Sequence, residues 1–235
     1  MNLTSFLLQV PAADTLTAVE AGPSETSMSI WEMTVQGGWI MLLLAIASVV
    51  AIYIFVERFI TINKAAKKDD EFMNSIRDYM QDGNLDEAKV LCQKKSSPLS
   101  RMIEKGISRI GKPLNDIQTA VENVGNLEVS NLEKGVALLA MISGAGPMLG
   151  FLGTVLGMIR AFYDMSMAGN NIEIELLSKG IYEAMVTTVG GLIVGIIAFI
   201  FYNILVAQID KVVNLLESKS IEFMDVLNEP AKPWH

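Results

Sequence analysis

The sequence predicts an all-α membrane protein with three transmembrane helices, two of them extended into a cytoplasmic helical bundle. Three observations predict it. The chain has 235 residues, 51% of them hydrophobic, with a mean hydropathy of +0.39. That is too apolar for an ordinary soluble domain, yet it leaves room for a sizeable water-exposed part. Residues 39–56, 136–159 and 184–207 carry no charge, and about 20 apolar residues suffice for a helix to cross a bilayer. Outside these stretches, apolar residues recur at intervals of three and four, the period of an amphipathic helix.

The elements follow in order. Residues 1–36 read as a polar periplasmic tail containing Pro11, Gly22 and Pro23. Its opening, MNLTSFLLQVP, has no basic region and only a short apolar run, so it reads poorly as a secretory signal. The first span is assigned to 37–58, with Trp39 placed for an interfacial belt and Glu57 and Arg58 closing it. Residues 59–135 form a cytoplasmic helical segment. There DDEFMNSIRDYMQ puts Phe72, Met73, Ile76 and Met80 on one face, DGN at 82–84 makes a turn, and LDEAKVLCQKK is a second helix. Pro98 starts a third helix, which ends by Gly111 and Pro113. With no strong breaker after Pro113 until Gly146-Pro147, one helix is expected to run from Leu114 straight into the second span. That span is assigned to 136–163, a periplasmic connector to 164–180 and the third span to 181–207. Residues 208–235 continue it as a cytoplasmic helix and tail, with Ile209, Val212, Val213 and Leu216 in register.

Orientation follows from the basic residues. Residues 1–38 contain no Lys or Arg, whereas the segment from Arg58 to Lys134 holds 13 of the 18. The positive-inside rule puts the N-terminus outside, and the long segment and C-terminus in the cytoplasm.

Several function classes are set aside. A net charge of −8 argues against a nucleic-acid partner, which requires a basic, phosphate-neutralising surface. The one cysteine, Cys92, has no internal disulfide partner and reads as a packed thiol. The one histidine is His235, the last residue, so a histidine metal site or catalytic triad within the chain is excluded. No phosphate-cradling loop or complete dinucleotide fingerprint is present. Asp82, Asn84 and Asp86 lack the spacing and closing Glu of a calcium loop and read as a turn and cap. No cofactor, metal site or enzymatic activity is expected.

Two groups of residues remain. Gly146, Pro147, Gly150, Gly153 and Gly157 in the second span, with Gly191 and Gly195 in the third, form small-xxx-small pairs that let helix backbones approach inside lipid. So many small faces predict subunit contacts in a homo-oligomer as well as packing within the chain, and Pro147 is expected to bend or loosen its helix. The second group is polar. Glu183 stands at the outer mouth of the third span, Thr187 lies one turn inward on nearly the same face, and Thr154 and Thr188 are close by. Intramembrane polar groups usually face a bundle interior or a water-filled path. Each threonine alone could return its hydroxyl to its own backbone. Together with the glycines they suggest a path for a small cation or proton.

The stretches GPMLGFLGTVLGMIRAF (146–162) and IYEAMVTTVGGLIVGIIAFIFYN (181–203) resemble the paired signature of the MotA/TolQ/ExbB proton-channel family, most closely its ExbB branch. The Gly-Gly-Trp start of the first span, ERF at its inner end and the long cytoplasmic segment agree with that plan. The resemblance implies a pentameric, stator-like subunit of the bacterial inner membrane. Its pore would be threaded by an ExbD/TolR-like single-span partner that supplies a membrane aspartate, and a TonB-like protein would carry the work to outer-membrane transporters. It also implies that Thr154 and Thr188 line the pore, with Glu183 at its outer part. Glu183 and Thr188 are five residues apart, about 140° round a straight helix, so Thr187 fits Glu183's face better; the motif ranks Thr188 and geometry ranks Thr187. The family's proline after Gly-Leu is missing from GIIAF. A TolQ-like or motor-stator role, or a scaffold that conducts nothing, are the competing readings.

Overall fold

The computed structural model describes residues 38–66, 70–167 and 174–228; the periplasmic tail assigned to 1–36 and the final residues lie outside them. Seven helices make up the described chain: α1 (Gly38–Ala65), α2 (Asp70–Gln81), α3 (Leu85–Lys94), α4 (Pro98–Ile107), α5 (Leu114–Glu133), α6 (Val136–Met167) and α7 (Ile174–Asn228). Among the described residues, three helical segments are long and apolar enough to cross a membrane. At 1.5 Å per residue, the 55 residues of α7 extend about 82 Å, far beyond a hydrocarbon core of about 30 Å. The third span therefore continues into the bundle as one uninterrupted rod.

The expected continuity of the second span is corrected. A helix does begin at Leu114, but it stops at Glu133, and α6 restarts at Val136. Gly135 adopts φ +82°, the left-handed conformation that a helix C-terminus takes and that glycine adopts without steric cost. Arg58 of α1 secures the break by donating from Nη1 to the Asn131 carbonyl at 3.2 Å, one of the acceptors that a helix end leaves unpaired. The outer ends also differ from the assigned limits. α6 runs on to Met167 and α7 is already helical at Ile174, because AFYDMSM contains no helix breaker. Only 168–173 lie between them, where the sequence reading gave 164–180 to a connector.

In the membrane region α6 and α7 form an antiparallel pair with α1 packed alongside both. Phe55 of α1 stacks on Phe201 of α7, with ring centroids 4.0 Å apart. Much of the remaining surface of the spans is apolar and outward-facing, including Leu42, Val49, Phe151, Ile193 and Phe199, as helices in lipid require.

Beyond the membrane region, α2, α4 and α5 pack on the second half of α7, and α3 packs on α2 and α4. Phe72, Met73 and Ile76 of α2 are buried, and Phe223 of α7 is fully buried beside Gly106 of α4, where any side chain would meet its ring. Ser97 and Ser100 form a reciprocal capping box that spans Pro98, which fixes the start of α4. Ionic ties join elements distant in sequence, among them Arg77 of α2 to Glu222 of α7 at 3.8 Å. Glu128 of α5 holds Arg101 of α4 through two contacts, Nε–Oε1 at 2.7 Å and a second from Nη2. Lys219 of α7 donates to Asp70 at 2.8 Å and to Glu222 at 2.9 Å, and these bonds, Asp70's first, raise its pKa above the ordinary lysine value.

Candidate functional site

The α6–α7 seam is built on the absence of side chains. A Cβ at Gly191 would lie 2.5 Å from the Gly146 carbonyl oxygen and 2.8 Å from the Gly150 Cα. One at Gly150 would lie 2.9 Å from the Thr187 carbonyl oxygen, and one at Gly157 the same distance from the Ala184 Cβ. Gly195 faces the Pro147 ring at 2.6 Å and the Ser143 carbonyl at 3.1 Å. Since Pro147 has no N–H to give Ser143, this close approach occurs where the α6 ladder has lost a bond. α6 nonetheless stays helical through Pro147.

All seven small-residue positions singled out from the sequence thus meet at a contact within one chain. Of the two roles expected of these faces, packing within the chain accounts for every contact described above. Among the glycines of α6, Gly144 alone has open space at its Cβ position. Sequence reasoning missed the outer extension of the seam, where Gly180 of α7 packs on Ala161 of α6. The signal was present, since Gly157-xxx-Ala161 and Gly180-xxx-Ala184 continue the small-xxx-small series.

The polar residues are divided by this seam. Thr187 is only 3% exposed and fills the space left by Gly153; its hydroxyl donates to its own helix at the Ala184 carbonyl, 2.7 Å away. Thr188 is half-buried and donates across the seam to the Gly150 carbonyl at 3.1 Å. Thr154, also half-buried, donates to the Phe151 carbonyl at 2.6 Å. Gly190 faces Met41 and Leu44 of α1. Thr188 precedes it by two residues, or about 160° round the helix, so Thr188 lies on the side of α7 turned away from α1. On α6, Arg160 and Leu156 line a cleft against α1, and Thr154, at 100° per residue, falls at the opposite edge of the seam. Thr154 and Thr188 therefore flank one open edge of the helix pair.

Glu183 goes the other way. Seven residues before Gly190, it shares that residue's face within about 20°. It lines a small cleft of about 40 Å³ with Gly38, Trp39, Gly157, Arg160 and Thr187, a volume that admits a few waters. The structure thus places Glu183 with Thr187, as spacing suggested, but Thr187 is packed shut and Thr188 is the threonine left at an open edge.

Chemically, the open edge is a stripe of small and hydroxylated residues on an otherwise apolar surface. No Asp, Glu, Lys or Arg lies within the three charge-free stretches. The hydroxyls can accept and relay hydrogen bonds, but the helix pair holds no group that changes protonation near neutral pH at mid-membrane.

A family model described as the MotA/TolQ/ExbB proton channel family matches residues 94–218, which include α5, α6 and most of α7. The chain is 27% identical over 190 residues to a putative biopolymer transport protein ExbB homolog of Methanothermobacter thermautotrophicus, covering 80% of this chain and 67% of that protein. It is 24% identical over 204 residues to the putative biopolymer transport protein ExbB-like 1 of Synechocystis, covering 84% and 80%. A Tol-Pal system protein, TolQ of Haemophilus influenzae, is 31% identical over 106 residues, covering 45% of this chain and 46% of that protein.

Proposed function

We propose that this chain, which belongs to the MotA/TolQ/ExbB proton channel family, is an ExbB-like inner-membrane subunit that couples the proton gradient to TonB-dependent transport across the outer membrane. The observation that carries the reading is the open edge of the α6–α7 seam. Thr154 and Thr188 are half-buried there, inside the stretches 136–159 and 184–207, which hold no acid. A hydroxylated but acid-free wall can hydrate a proton path without storing a proton. The titrating group must then come from another chain, in this reading an ExbD/TolR-like single-span protein with a membrane aspartate.

Five copies in a ring, each presenting this edge inward, would enclose such a partner while α1 faced lipid. Exposure of a polar side chain to lipid is costly, so an enclosed axis accounts for the side on which Thr154 and Thr188 lie. In this arrangement Glu183 and its cleft belong to the outer part of each subunit, holding water and negative charge near the entrance.

The likeness to TolQ supports a second reading, in which the same channel serves envelope integrity through a TolR-like partner. The two are separated by complementation of strains lacking one system or the other. The channel reading itself is tested with Thr154→Ala, Thr188→Ala and Glu183→Ala. Each is expected to co-purify with the partner in unchanged stoichiometry while lowering gradient-driven uptake several-fold. A scaffold that conducts nothing would retain activity wherever assembly survives, and full activity in all three assembled variants would remove the channel assignment.

A further inference from the structure

At the rim where the spans enter the bundle, a cavity of about 300 Å³ opens between the end of α1, the start of α4 and the end of α5. Its lining includes Thr61 and Lys64 from α1, Ser96 and Arg101 from around the start of α4, and Glu128 and Asn131 from α5. The one lining carboxylate, Glu128, is neutralised by its two bonds to Arg101. The Asn131 side-chain oxygen accepts from Lys134 at 2.7 Å, which orients a second cation at this rim and leaves the amide nitrogen as a donor. Thr61 gives its hydrogen to the Glu57 carbonyl at 2.9 Å. Lys64 has no carboxylate partner among the described residues, and Lys67 and Lys68 follow it in sequence. The cavity is therefore lined by hydrogen-bond donors around one uncompensated ammonium.

Its depth decides what can enter. Ile60 of α1 still faces outward, half-exposed, so apolar surface reaches at least that far. Lys64 stands one turn further, about 6 Å along the axis, within the headgroup layer that flanks the hydrocarbon. Leu132, Ala65 and Pro98 complete the wall with apolar surface. We infer that this cavity binds the phosphate of an anionic phospholipid headgroup, with Lys64 as its counter-charge and Ser96, Arg101 and Asn131 as hydrogen-bond donors. A bound lipid would bridge α1, α4 and α5 at the level of the Gly135 break.

The test uses the full chain, purified and stripped of lipid, and titrated in native mass spectrometry with phosphatidylglycerol, phosphatidylcholine or inorganic phosphate. One phosphatidylglycerol per chain is expected to bind saturably, ahead of phosphatidylcholine, with inorganic phosphate failing to compete. Lys64→Gln should weaken the binding about five-fold, Lys64→Arg should preserve it, and Lys112→Gln, which removes the same charge far from this rim, should leave it unchanged. Equal weakening by Lys112→Gln, no weakening by Lys64→Gln, or equal affinity for phosphatidylcholine would overturn the site. Competition by inorganic phosphate at the same affinity would overturn the lipid as its source.

Discussion

Replacing Gly191 with alanine tests the seam directly. The new Cβ would lie 2.5 Å from the Gly146 carbonyl oxygen and 2.9 Å from the Gly150 nitrogen, 0.9 and 0.5 Å short of the 3.4 Å at which ordinary contact begins. The three nearest atoms are all α6 backbone, so no rotamer change relieves the clash and the helices must separate. A gap of 0.5–1 Å already forfeits about a quarter to a half of each dispersion contact, and overpacking of this kind costs about 1–3 kcal/mol. Alanine's helical advantage over glycine, about 0.5–1 kcal/mol, acts in the opposite direction. Gly144→Ala isolates this helical advantage, because Gly144 lies in the same helix pair with nothing within 4 Å of its Cβ position. Unfolding in mixed micelles, followed by circular dichroism, should place Gly191→Ala about 1–3 kcal/mol below Gly144→Ala. The deficit should not change over a ten-fold range of protein concentration, because the contact lies within one chain; a subunit contact would weaken on dilution. Equal stabilities, or a deficit that grows on dilution, would refute the seam as described.

The threonines should separate by role: Thr187→Val is expected to lower stability by about 1 kcal/mol while leaving proton flux per assembled complex near normal, the reverse of Thr188→Ala, and equal flux losses in vesicle assays would contradict the division. Gly135→Ala should cost about 1–2 kcal/mol, the strain of a left-handed conformation, since its Cβ position has ordinary clearance from Arg58 and Ile54 at 3.6 Å; an unchanged midpoint in thermal unfolding would argue against that backbone. Burial, with Glu104 adding to it, pushes the Cys92 thiol from 9.0 up to about 12, so alkylation at pH 8 should be slow in the folded protein and fast in denaturant. A raised folded pKa makes the stabilising contribution complete below about pH 9 and lost as pH climbs towards 12. Lys219 acts in the same direction, and stability that rose between pH 9 and 11 would contradict both.

Most of the architecture was legible because lipid and period leave few choices. A charge-free run of bilayer length has to be a helix, and the alternation of Phe72, Met73 and Ile76 with charged neighbours fixed the face that α2 buries. The break at Gly135 was missed although Glu-Lys-Gly carries a helix-stop pattern, with a basic residue before a left-handed glycine. The apolar run beyond it outweighed that local signal, and the stabilising contact comes from Arg58, 73 residues before Asn131. The glycines were recognised as close-packing residues, but period alone cannot say whether the opposing backbone belongs to the same chain. Thr187 and Thr188 differ by one position, and only the register of α6, whose Gly153 receives Thr187, decides which of them is sealed. The cavity beside Lys64 left no trace in the sequence, since its walls come from three separated segments.

The two links between the membrane pair and the bundle are mechanically unequal. α7 passes from Glu183 to Asn228 with its backbone ladder intact, so a rotation at Thr188 is transmitted along the helix to Phe223, about 52 Å away. α6 meets the bundle through Lys134 and Gly135, where the ladder is interrupted and Arg58 ties α1 to the Asn131 carbonyl near the end of α5. A helix pair driven from the Thr154–Thr188 edge would therefore turn the bundle through α7 while yielding at Gly135. Because the glycine seam keeps α6 and α7 in contact along the span, relative motion between them is resisted there and is displaced to the joint. Stiffening that joint should thus affect coupling more than folding. Gly135→Ala would show it as a loss of transport activity larger than its loss of stability explains, compared at matched stability with Gly191→Ala. Proportional losses in the two variants would mean that the joint has no mechanical role.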